Sequence, residues 1–259
     1  MTTVDAPVEL LRSYVLRHGD RALVLSQRLT EWLTHAPELE EEVSIANIAL
    51  DLLGQARMLY TYAGAIGGDG RTEDDFAYWR DHREFTNVQL VEQPNGDFAT
   101  TMVRQVLHDL FAYEYWSAMC SSADPTLAGL AGKAVKETTY HVRHSSAWVI
   151  RLGDGTEESH RRAQSALDGL WRFTGELFET DEIESVLVAA GVAADPTALQ
   201  HRWSARVDAV LAEATLTRPA GPPPDRMATG GRRGLHSEAF AYLVAEMQTV
   251  ARAHPGATW

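Results

Sequence analysis

The sequence predicts an all-α protein, a bundle of long helices with further helices appended. Three observations carry this. Apolar residues recur at spacings of three and four along almost the whole chain. Capping residues punctuate those runs. No alternation of apolar and polar residues marks a strand. The chain has 259 residues, enough to bury an ample core. A single domain is expected, with the core bundle over about 5–152 and appended helices over about 156–253.

The first helix, about 5–34, carries Leu11, Val15, His18, Ala22, Leu25, Leu29 and Trp32 on one stripe. The second, about 38–65, opens after Pro37 with Glu38 and Glu40 to Glu42, acids that suit the positive end of a helix dipole. Its stripe is Ile45, Ala49, Leu52, Ala56, Leu59 and Ala63, and glycines from Gly64 to Gly70 end it. A loop with a short helix follows. Asp97 reads as the N-cap of a third long helix, about 98–121. Asp124 and Pro125 open a fourth, whose stripe includes Leu127, Ala131, Ala134, Thr138, His141, Ser145 and Trp148; Gly153-Asp154-Gly155 stops it. Thr156 caps a fifth helix to about 180, a sixth covers about 196–215, and a last one about 236–253. Between these last two, about 218–234, a Pro- and Gly-rich stretch reads as a flexible loop. The first two helices are also apolar off their main stripes, at Leu23 and Val24, and at Leu53 and Met58. Either later helices or a protein partner covers those faces.

The formal charge is −13, which argues against nucleic acid or an anionic membrane as the main partner. No apolar run approaches the roughly 20 residues that span a bilayer, and the N-terminus has no signal-peptide core. The single cysteine, Cys120, excludes an intrachain disulfide and fits a reducing cytoplasm.

The segment Lys136 to His144 looks like the last ligand helix of a four-helix di-iron protein. Such a site takes a Glu from each of two helices and a Glu-x-x-His pair from each of the other two. Carboxylates supply hard bridging oxygens and histidine an imidazole suited to iron. The positions that would carry these ligands are Ala22 on the first helix, Leu52 and Gln55 on the second, Asp109 on the third, and Thr138 with His141 on the fourth. Only Asp109 and His141 have ligand chemistry, so no metal is expected in this chain. Asp51 and Glu137 each stand one residue from a ligand position, about 100° around the helix; only a local distortion such as a π-bulge would bring them in. The plainer roles are a buried, hydrogen-bonded His141, and ion pairs of Glu137, Asp51 and Asp109 with Lys133, Lys136, Arg57 or Arg104. A rival is a reduced metal site built from Asp109, Glu137 and His141.

Other constellations are weaker. Glu157 and His160 repeat the Glu-x-x-His spacing, but in a first turn where acids serve the dipole. His236 and Glu238 open the last helix and read as capping residues. Cys120 lacks an evident base. No Gly-x-Ser-x-Gly and no phosphate-binding glycine motif occurs. Gly230-Gly231-Arg232-Arg233-Gly234 is basic and flexible enough to meet a phosphate, but reads as a solvated loop.

Several blocks then stand out: Ala46 to Arg57 (ANIALDLLGQAR), Val91 to Phe98 (VEQPNGDF), Lys136-Glu137 through Tyr140-His141, Arg151 to His160 (RLGDGTEESH), Ala245-Glu246-Met247-Gln248, and Pro255 to Trp259. Together they resemble the C-subunit family of the phenylacetyl-CoA 1,2-epoxidases, the ring-oxygenating phenylacetyl-CoA monooxygenases, over nearly the whole chain. The resemblance implies a ferritin-like four-helix bundle shared with the catalytic A subunit of the same complex. The A subunit's di-iron ligands fall here on Leu52, Gln55, Thr138 and His141, and less securely on Ala22. The implied role is a cytoplasmic, non-catalytic subunit without its own cofactor. It would pair with the di-iron A subunit as a heterodimer that doubles into a heterotetramer, beside the other subunits of the complex. That complex epoxidises the aromatic ring with O2 and NADPH-derived electrons in aerobic phenylacetate breakdown. An alternative under the same resemblance is a binding module, in which Arg232 and Arg233 help hold the coenzyme A phosphates while the partner does the chemistry.

Overall fold

A computed structural model describes residues 7–221 and 227–257. It is all-α, and the described residues form no strand. Among them, ten α-helices run in chain order: α1 Val8–Thr30, α2 Leu39–Gly67, α3 Glu73–Tyr78, α4 Gln89–Glu92, α5 Phe98–Met119, α6 Pro125–Gly153, α7 Glu157–Leu170, α8 Glu182–Ala189, α9 Pro196–Glu213 and α10 Glu238–Ala253. The chain divides into two compact units, residues 1–94 with 229–259 and residues 95–228.

In the first unit α1 and α2 lie antiparallel. Arg12 pairs with Asp69 at 2.6 Å, Tyr60 donates to Asp20 at 2.7 Å, and Ser26 donates to the Ala49 carbonyl at 2.7 Å. Gly19 allows the close approach, because a Cβ there would sit 2.6 Å from the Tyr60 ring. The packing of α1 explains its off-stripe apolar residues: Leu23 and Val24, and Tyr14 with them, are buried like the main stripe. Within this unit α1 meets α2, α4 and α10. Gln248 of α10 donates to the Ala77 and Arg80 carbonyls at 3.0 and 2.9 Å, fixing that helix on the segment after α3.

In the second unit α5 and α6 pack together, with α7 and α9 against both. The caps read from sequence form as expected. The Asp97 carboxylate accepts from Thr100 N–H, Asp124 from Thr126 and Leu127 N–H, and Thr156 Oγ1 from Ser159 N–H. Trp203 of α9 donates to the Leu107 carbonyl at 3.0 Å and packs among Trp171 and Phe178.

The helix expected from Thr156 to about 180 ends at Leu170 instead, followed by 3-10 turns at Trp171–Phe173 and Gly175–Phe178. Thr174 Oγ1 donates back to the Trp171 carbonyl at 2.8 Å, as hydroxyls that compete with helical bonding do. The turns also deliver Phe178 to Phe111 and Trp203. Helix α8 was not expected from the sequence, although Asp181 caps it through Glu184 N–H.

The stretch 218–234 is tied down where it is described. Arg218 pairs with Asp208 at 2.7 Å, and Gln89 donates to the Thr229 and Leu235 carbonyls. Residues 222–226 of that expected loop lie outside the described residues.

Candidate functional site

The six positions singled out as possible ligands are all buried, three in each unit. In the first unit, Ala22, Leu52 and Gln55 lie in the interior of α1 and α2. The register set by Ser26 with Ala49 and Asp20 with Tyr60 places Ala22 at the level of Gln55. Ala22 and Leu52 offer only hydrocarbon, and Gln55 a neutral amide, where a di-iron centre takes anionic carboxylates.

In the second unit Asp109, Thr138 and His141 are equally buried. Asp109 is the one carboxylate among the six positions, and both of its oxygens meet protein groups. Oδ2 accepts from Ser145 Oγ at 2.9 Å, and Oδ1 lies 3.2 Å from His108 Nδ1. Ser145 sits one turn after His141, and its hydroxyl also lies 2.9 Å from the His141 carbonyl. Thr138 supplies a neutral hydroxyl at most. Glu137, one residue off the ligand stripe, lies 3.3 Å from Lys133, an (i, i+4) pair along α6. Arg57 pairs with Glu73 through a bidentate contact at 2.8 Å, and Arg104 donates to Asn95 Oδ1 at 2.9 Å. Neither is an ion pair the sequence had suggested for them. Among the described residues, no group of three or more His, Cys, Asp or Glu is arranged to hold a metal ion.

The densest polar chemistry lies elsewhere, at two buried carboxylates of the first unit. Asp20 is fully buried on α1. Its Oδ1 accepts from Tyr60 and Arg80; its Oδ2 accepts from Arg80 at 3.2 Å and from the Thr86 N–H and hydroxyl at 2.8 and 3.1 Å. Arg80 also lies over the Phe85 ring, 4.1 Å from its centre. Burial disfavours a charged guanidinium, but Asp20 outweighs it and holds Arg80 ionised. Burial, reinforced by Asp20, pushes the Tyr60 hydroxyl well above its ordinary value, so it stays a donor.

Glu92 is the second. Its Oε2 meets His236 Nδ1 at 2.7 Å and Asn87 Nδ2 at 3.1 Å, while Oε1 accepts from Ser237 N–H at 2.6 Å. Its backbone carbonyl accepts from Arg28 at 2.7 and 3.0 Å. His236 Nε2 lies 2.8 Å from the Phe85 carbonyl, so both ring nitrogens face acceptors. Burial works against the imidazolium, yet the bond to Glu92 and its charge raise His236 above its usual value. This corrects the capping role expected of His236: α10 begins after Ser237 without a side-chain cap. The histidine instead clamps α10 to α4. No local signal marks this pair, whose members are 144 residues apart. A signal for Asp20 was available, since a carboxylate inside a helix apolar on nearly every side must be paired.

The remaining candidates lie apart from these two carboxylates. His160 lies 2.7 Å from the Gly153 carbonyl and so caps the end of α6, while Glu157 is exposed. Cys120 is exposed. Arg232 and Arg233 lie in a 3-10 turn between Gly230 and Gly234, both left-handed, at φ 111° and 76°. A Cβ on Gly234 would meet the Arg83 carbonyl at 2.2 Å, so that turn is packed against the protein. No helix among the described residues is long and apolar enough to cross a membrane.

Known proteins share this sequence along its length. The family described as phenylacetic acid catabolic protein matches residues 2–259. The chain is 48% identical over 249 residues to the C subunit of the 1,2-phenylacetyl-CoA epoxidase of Escherichia coli (strain K12), covering 96% of this chain and 99% of that protein.

Proposed function

The chain belongs to the phenylacetic acid catabolic protein family, and from that premise we propose that it is a non-catalytic, ferritin-like subunit of a phenylacetyl-CoA epoxidase. Its role is to bind the di-iron A subunit and hold it folded. The relative's name makes that relative one subunit of an epoxidase; the division of labour is inferred from the residues.

The observation that carries it is the chemistry of the six ligand positions. Ala22 and Leu52 have no donor atom, Gln55 and Thr138 carry no charge, the Asp109 carboxylate is engaged by Ser145 and His108, and the buried His141 offers an imidazole but no anionic oxygen. A pair of iron ions needs several anionic oxygens to offset its charge. The residues of this chain do not fit such a centre, so no step of the epoxidation is routed through them. A partner that binds only the folded state of another chain stabilises that state by mass action. The α-helical scaffold, with its buried acids held by protein donors, suits that task.

Co-expression tests the proposal. The A subunit is expected to be several-fold more soluble when produced with this chain than alone. Equal yield and equal activity without it would refute the role.

A further inference from the structure

Helix α2 is apolar on two sides. One stripe is buried: Ile45, Ile48, Leu52, Leu59 and Ala63. On the side facing away from it, Leu39, Val43, Ala46, Leu50 and Leu53 succeed one another at spacings of four and three. Of these, Leu39, Val43 and Leu50 are 72%, 53% and 64% exposed. Single exposed leucines are ordinary; an apolar line along one helix, with Leu39, Val43 and Leu50 left open among the described residues and Ala46 and Leu53 half-buried between and beyond them, marks a contact surface. The line does not stop at Leu53. It runs into a cleft of about 270 Å3 whose lining includes Leu23, Leu53, Ala56, Tyr60 and Tyr78. That volume takes one or two large apolar side chains. From Leu39 to the cleft mouth at Arg57 the surface is about 27 Å long, five turns of helix.

Its rim decides the occupant. Glu38 and Glu40 flank the start, and Glu73 and Asp74 border the cleft at the other end. The basic residue at the cleft, Arg57, is already paired with Glu73. A second copy of this chain, itself at −13, would bring the same acids against themselves. A partner with an apolar stripe and lysines or arginines at both ends matches the surface instead.

We infer that the outer stripe of α2 and its cleft form the docking surface for an amphipathic helix of the partner subunit. That helix inserts an apolar side chain beside Tyr78 and sets basic residues against Asp74 and Glu38. The inference rests on the partnership proposed above and assigns it a place.

The test uses the full chain co-expressed with a tagged A subunit. Wild-type chain is expected to co-purify, while Leu50→Asp and Val43→Asp each weaken capture at least about tenfold, the effect of placing one charge against an apolar contact. Asp74→Lys is expected to slow association and to reduce its salt dependence. Tyr242→Asp, on exposed α10 surface, serves as the control and binds like wild type. Because Leu50 and Val43 are exposed, both variants should keep the wild-type circular dichroism and melting temperature. Capture of Leu50→Asp and Val43→Asp at wild-type strength overturns the docking surface and leaves the partnership standing. Loss of capture for Tyr242→Asp as well shows a general defect and also overturns it. Sedimentation of the wild-type chain alone as a dimer that Leu50→Asp splits gives the surface to a second copy. Failure of the wild-type chain to co-purify at all removes the partnership itself.

Discussion

Asp20 in the first unit and Asp109 in the second are both fully enclosed carboxylates on long helices, yet they are held differently. Asp20 takes donors from Tyr60, Arg80 and Thr86, which belong to α2, the segment after α3, and the loop before α4. One of them is a buried guanidinium whose charge the carboxylate balances. Asp109 takes a neutral hydroxyl from Ser145 and the imidazole of its own neighbour, His108. The first is a junction on which several segments depend. The second is a local contact between α5 and α6 at a position where a metalloenzyme of this architecture carries a ligand. Enclosure alone therefore says little about a buried acid; the identity and chain origin of its donors separate a junction of several segments from a contact between two helices.

The largest effect should come from breaking the junction. Asp20→Ala leaves Arg80 buried without its counter-charge, and a cost of about 3–5 kcal/mol is expected, read by chemical unfolding. Asp109→Ala should cost about 1–3 kcal/mol, because Ser145 retains the His141 carbonyl as an acceptor. Equal losses for the two variants would erase the distinction. Gly19→Ala probes the frame that brings Tyr60 to Asp20. Its methyl group meets the Tyr60 ring, and overpacking of about 1–3 kcal/mol is expected, with the Asp20 junction loosened in the same variant.

A smaller effect follows pH. His236 is raised in the folded state by Glu92. Its contribution is complete below the unfolded value of about 6.5 and is lost as pH rises through the folded value. His18 is shifted the other way, lowered by burial and then by Arg21, Arg232 and Arg17. Its contribution is present above about pH 6.5 and is lost as pH falls toward the lowered value. Stability should thus decline on both sides of neutrality in the wild type. In His236→Gln the alkaline decline should flatten while the acid one stays, which melting curves across pH would read.

Much of the fold was legible because its signals are local. Asp97, Asp124 with Pro125, and Thr156 each announce a helix start within three residues of the N–H groups they cap. What was not legible depends on distant residues. The break after Leu170 serves an aromatic cluster completed by Trp203 and Phe111. His236 looks like a helix-capping residue until Glu92 comes within 2.7 Å of it. The lack of donor atoms at Ala22 and Leu52 needed only the stripe to be read correctly. The neighbours that engage Asp109 needed the packing of α5 on α6. The second stripe of α2 was half visible, through Leu53 standing off the main stripe; which side stays uncovered is a tertiary fact.

Iron counting bears most directly on the division of labour. The proposed complex of this chain with the A subunit, and this chain by itself, would be purified. Each would then be titrated anaerobically with Fe(II), and bound iron measured by mass spectrometry and by the optical signature of the oxidised centre. Iron at one to two equivalents on the A subunit and none retained by this chain is the expected result. Retention of one or two equivalents by this chain, abolished by Asp109→Ala or His141→Ala, would contradict it and make this chain a metalloprotein.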